Sequence, residues 1–185
     1  MSGISYADKN DRELGFRRLE PGNWLDIDPL MNSTVLSTSR LNHYDAWFET
    51  VNELKLDRNV PLEIVRLFEA TRGMLLYGLF FYPILALSGD QFVRVAEVAA
   101  RAKCLALGAQ LTQVQNFSNA VQWLIKRSGI APDDQQAWRT IVFLRNDVSH
   151  LSEQRAYSVG MLLQQVHGLT SVINRLFQRD DAATP

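Results

Sequence analysis

The 185-residue chain is 46% hydrophobic and 21% charged, which is the balance of a globular domain with a core of its own and excludes a disordered or fibrous chain. Nineteen basic against 20 acidic residues leave a net charge of −1, so any nucleic-acid contact has to come from a local patch and not from bulk charge. One cysteine, Cys104, excludes an intramolecular disulfide and a cysteine metal cluster, and fits a reducing, cytoplasmic location.

Residues 1–40 carry no sustained period and are punctuated by Gly3, Gly15, Pro21, Gly22 and Pro29 before a Ser/Thr-rich run, so they read as an irregular N-terminal arm. Met1 to Lys9 shows no basic-then-apolar secretion signal. Trp24, Leu25, Ile27 and Leu30 are expected to dock the arm on the body or on a second copy. From residue 41 the pattern turns helical. Tyr44, Trp47, Phe48, Val51 and Leu54 recur at three and four, predicting an aromatic inner face.

Pro61 suits a first turn, where its missing N–H costs nothing, and Ile64, Leu67, Phe68, Thr71 and Leu75 continue an inner face. The run from Met74 to Leu87 is too short and too interrupted, by Gly78 and Pro83, for the roughly 20 residues of a spanning helix. A break is expected between Gly78 and Pro83, then a helix capped by Ser88 or Asp90 and stopped by Gly108. Phe117 to Ile125 predicts a short helix closed by Gly129. Pro132-Asp133-Asp134 opens the next, which carries Trp138, Ile141, Val142, Leu144 and Val148. Ser152 and Glu153 resemble a fresh start before the long apolar period from Val159 to Leu176. Cys104, among Ala102, Leu105 and Leu107, reads as an inert core thiol. No β-alternation of useful length occurs, so the fold expected is all-α: an up-and-down bundle of five or six helices over residues 41–179, followed by a disordered tail at 180–185.

Chemistry concentrates in Leu144-Arg145-Asn146-Asp147-Val148-Ser149-His150-Leu151. On a helix, Leu144, Val148 and Leu151 share one face, Asn146 and His150 form a surface row, and Arg145 and Ser149 form the row beside it. A permanent planar cation beside an imidazole that titrates near neutrality suits a phosphate ester. The plainer reading is that the arginine pairs with an acid and the histidine caps a helix end. No Gly-rich phosphate loop, GxSxG elbow or HExxH pair is present, and His43 and His167 have no metal-ligand spacing, so neither metal nor cofactor is expected. Tyr77, Phe80, Phe81 and Tyr82 read as core aromatics, because no basic residue lies between Gly73 and Asp90. Lys126, Arg127, Arg139 and Arg155 read as a solvated face.

The pattern Arg145, Asn146, three residues, His150, at a junction between two long helices near the end of an all-helical chain, resembles the HEPN superfamily. The likeness extends from about Pro61 to Phe177, since the helix bearing Glu97 is similar to the one that faces the motif there; the arm lies outside it. The resemblance implies a homodimer that joins two Arg/His motifs in one cleft. It further implies a metal-independent endoribonuclease, often a toxin or defence effector, with RNA as substrate and a protein partner or antitoxin, and with no membrane attachment. The alternative it carries is a catalytically inactive module that binds nucleic acid, a nucleotide or a protein. In that frame Arg145 and His150 are catalytic and Asn146 orients the imidazole or the phosphate. Glu97 would orient Arg145 or His150 from the facing helix, although pairing with Arg94 or Arg101 at helix spacing is the preferred reading. Ser149 would bond the phosphate, although a bond to a helix carbonyl is preferred.

Overall fold

In the computed structural model, residues 16–32, 43–148 and 158–178 are described. Those residues are helical and hold no strand. They form seven α-helices: α1 (Pro29–Asn32), α2 (His43–Asn52), α3 (Leu62–Tyr77), α4 (Pro83–Ala106), α5 (Phe117–Lys126), α6 (Gln135–Val148) and α7 (Val159–Gln178). Single 3-10 turns at Leu111–Gln113 and Pro132–Asp134 precede α5 and α6. The helix count exceeds the expected five or six because α1, a single turn inside the arm, joins the six helices read from periodicity. Asp28 starts it by accepting the Leu30 N–H, and Pro29 occupies the first helical position, where no backbone donor is needed.

The organising element is α4. A helix with one apolar stripe can be covered by a single neighbour, but α4 buries residues around most of its circumference, from Pro83 and Leu85 through Phe92, Val93, Ala96 and Ala100 to Cys104. It packs against α3, α5, α6 and α7. Small residues make that crowding achievable. A Cβ on Gly89 would lie 2.6 Å from Leu162 Cδ1 of α7, well inside van der Waals contact. Phe92 meets Phe68 of α3 edge-on at 5.5 Å, and Phe117 of α5 meets Trp138 of α6 at 6.4 Å. Each such fully buried side chain stabilises the fold by about 1.5–3 kcal/mol. Lys103 is buried as well, with its ammonium 5.5 Å from the Phe177 ring centroid of α7.

The α3–α4 break falls where glycine and proline placed it, but α4 begins at Pro83, not at Ser88 or Asp90. Proline at the first position forfeits no hydrogen bond, so the helix starts there and Ser88 lies inside it, buried, its hydroxyl donating to Leu85 O. Gly108, at φ +88°, ends α4 in a conformation that costs other residues a steric penalty. Asn116 caps α5 by accepting the Asn119 N–H.

The described part of the arm does dock on the body, through Ile27 of the four residues expected and otherwise through different ones. Trp24, Leu25 and Leu30 are exposed, and Ile27 is half-buried. The other contacts are made by fully buried Met31 and by Asp28, whose N–H donates to Leu79 O and whose carboxylate accepts the Tyr82 N–H. Arg17 donates to Phe80 O, and Phe16 packs edge-on against Phe81. Burial, and secondarily the Asp28 charge, push the Tyr82 phenol above its ordinary value of 10.0. On α2, Trp47 and Val51 are buried, with the Trp47 indole donating to Leu76 O, while Tyr44 and Phe48 are exposed. Nothing in the arm covers that half of the predicted aromatic face among the described residues. Asn174 of α7 holds the α2–α3 loop, accepting the Asp57 N–H and donating to Lys55 O. The expected tail at 180–185 lies outside the described residues.

Candidate functional site

The inner face of α6 is set by its largest apolar side chain. Trp138 and Ile141 are buried, and Arg145 completes their i, i+3, i+7 row. Arg145 therefore points the way the core residues do, towards α4, where the sequence pattern had Leu144 on the buried side. Leu144 is also packed against the core, half-buried, and lines a groove between α6 and α7.

What meets Arg145 there is Glu97. Its Oε2 accepts from Arg145 Nε at 2.8 Å, and its Oε1 lies 2.8 Å from an Nη of Arg101, one turn further along α4. The carboxylate is 13% exposed, the Arg145 side chain 29% and that of Arg101 36%. Arg101 also donates to Gln115 O, just before α5, while its Nε is buried without a hydrogen-bond partner among the described residues. One network thus joins the middle of α4, the approach to α5 and the end of α6. Two guanidiniums share one carboxylate, so these three side chains together carry one positive charge. Such charge-assisted contacts fix the plane of Arg145 as well as its position.

Glu97 contacts both Arg101 on its own helix and Arg145 on the facing one. Its pairing with Arg101 was visible as an i, i+4 spacing; its contact with Arg145, 48 residues away, was not. Arg94 is exposed and is not part of the network among the described residues. Arg101 was missed as a site residue because helix spacing alone cannot separate a surface pair from one closed by a third group. Asn146 is exposed on the adjacent row, in line with Arg139 and Val142. Ser149 and His150 lie outside the described residues. His167 is exposed on α7.

That row borders a groove between α5 and α6 of about 470 Å³. Val121, Ile125 and Val142 contribute apolar surface, Ser118 a hydroxyl, and Lys126 and Arg139 two cations; among the described residues lining it, none is acidic. Cys104 is buried, its thiol donating to Ala120 O at 3.3 Å, and burial pushes that thiol up from 9.0 to about 11, so it is no nucleophile. Among the described residues no group of three or more His, Cys, Asp or Glu could hold a metal ion, and no helix is long and apolar enough to cross a membrane. No family model matches the chain, and neither the curated proteins nor the solved structures searched contain a match to it.

Proposed function

We propose that the chain is a HEPN-like, metal-independent endoribonuclease that works as a homodimer in the cytoplasm. The observation that carries the reading is the Glu97–Arg145 contact: a half-buried arginine, held from a facing helix by a carboxylate, in the last turn of the helix and five residues before His150 in sequence. Arginine in a fixed plane is suited to phosphate oxygens, and two guanidiniums gathered around one carboxylate favour an anion.

The reaction needs no metal because RNA carries its own nucleophile. The 2′-oxygen attacks the adjacent phosphorus while an imidazole takes its proton, and the P–O5′ bond breaks as a second imidazole protonates the leaving oxygen. The products are a cyclic phosphate and a 5′-hydroxyl. Arg145 balances the charge that develops on the non-bridging oxygens. One chain offers a single imidazole in the motif, so His150 from each of two copies fills the two roles. Asn146, on the neighbouring exposed row, orients the phosphate.

The test is incubation of the purified full-length protein with single-stranded RNA in excess chelator. Wild type should cleave, and Arg145→Ala and His150→Ala should each lower the rate by about 10²–10⁴-fold. Cleavage retained by either variant overturns the assignment. Intact RNA with the wild-type protein leaves the inactive binding module as the reading of this fold.

A further inference from the structure

We infer that the α5–α6 groove is the track along which the RNA strand leaves the Arg145 centre, with Lys126 and Arg139 on its phosphates and the half-buried Ile125 and Val142 beneath its bases. This rests on the ribonuclease reading of Arg145 and names the part of the surface that would hold the substrate beside the scissile bond.

Charge is the first argument. Four described arginines are engaged in ion pairs, Arg72 with Glu69, Arg101 and Arg145 with Glu97, and Arg175 with Asp134, whereas exposed cations such as Arg66 and Arg94 are scattered singly over other faces. Lys126 and Arg139 are exposed and form no ion pair with a described carboxylate, yet they border one groove whose described lining has no acid. Two uncompensated cations over a concave surface attract a polyanion, and the apolar patch between them distinguishes a nucleic-acid strand, with its flat bases, from free phosphate.

Position is the second. Arg139, Val142 and Asn146 are successive members of one surface row of α6, so the groove wall continues into the motif without a change of face. On α5, Ser118 at the groove lies one turn beyond Gln115, whose carbonyl accepts from Arg101. Both walls therefore lead to the Arg101–Glu97–Arg145 cluster. Occupancy by a single strand also explains why the groove's cations sit at its Lys126–Arg139 end while the paired arginines mark the other.

The experiment uses a fluorescein-labelled, 2′-O-methylated 12-nucleotide single strand, which cannot be cleaved through its own 2′-oxygen, titrated against the full-length protein by anisotropy at several salt concentrations. The double variant Lys126→Ala/Arg139→Ala should bind about tenfold more weakly, with the salt slope reduced by about 1.4, since each neutralised phosphate contributes about 0.7 on a single strand. Arg66→Ala, an exposed cation on α3, should bind as wild type does. Both substituted positions are exposed, and a thermal melt within a few degrees of wild type shows that the double variant folds. Equal binding by wild type and double variant overturns the track while chelator-resistant cleavage that depends on Arg145 still upholds the ribonuclease. Groove-dependent binding by a protein that cleaves nothing upholds the track and overturns the ribonuclease. No binding by wild type overturns the track.

Discussion

Arg145 and Arg175 each sit in the last turns of a helix, and each is held by a carboxylate from another element, yet the two pairs do different work. Arg175 of α7 meets Asp134, at the start of α6, with Nε 2.9 and 3.1 Å from the two carboxylate oxygens and an Nη at 2.7 Å. A further Nη bond to the Ser171 hydroxyl completes a one-to-one, multiply bonded pair. Glu97 is instead divided between two arginines, one on each carboxylate oxygen. The Asp134 pair is a closed brace between helices, whereas the Glu97 cluster gathers two cations around one half-buried anion. On the reading proposed above, the first arrangement does no more than join two helices, while the second also holds a guanidinium for an anion.

Substitutions should separate the two. The largest effect expected is on catalysis: Arg145→Ala costs about 3–5 kcal/mol of barrier, the equivalent of the 10²–10⁴-fold rate loss above, whereas Arg175→Ala leaves the single-turnover rate within about twofold. Equal losses would erase the distinction. A second effect expected is on stability at alkaline pH. The α4 face beside Glu97 runs on to Cys104, whose folded thiol holds its proton to about pH 11 while the unfolded chain begins to lose its own near pH 9. The folded state binds more protons across that window, so stability falls as pH rises through it, by about 2 kcal/mol at the top. The raised Tyr82 phenol adds a loss of the same sign above pH 10. Urea titrations at pH 8 and 10.5 should show this loss, and Cys104→Ala should flatten the Cys104 contribution; an unchanged slope would mean that the thiol is solvated.

Glu97→Gln follows, removing the charge that holds two half-exposed guanidiniums together. It should lower stability by about 1–2 kcal/mol by urea melt and slow RNA cleavage at least tenfold, since Arg145 loses its orientation. Asp134→Asn is the smallest. Its partner Arg175 is 43% exposed, so a loss of at most about 1 kcal/mol is expected, with cleavage unchanged. A fall in cleavage with Asp134→Asn, or none with Glu97→Gln, would invert the comparison.

Local chemistry determined much of this chain from the sequence alone. The all-α class followed from periods of three and four. Several ends followed from residues that act within one turn: Pro61 ahead of α3, Gly108 at a positive φ, and the proline-led turn before α6, whereas the start of α4 at Pro83 did not, because Ser88 and Asp90 offered competing cap signals. The Arg101–Glu97 pair belongs to the same class of local facts. Periodicity says which side chains share a face, but not what covers it. For that reason Tyr44 and Phe48 share a row with buried Trp47 and Val51 yet stay exposed, and the arm docks through Asp28 and Met31 while Trp24 and Leu25 face outward. Only tertiary packing decided that α4 is the helix enclosed by the others, that Trp138 turns Arg145 inward onto Glu97, and that Lys126 and Arg139 border one groove. Those outcomes depend on contacts between residues tens of positions apart, where the burial of a tryptophan outweighs the pattern of the turn beside it.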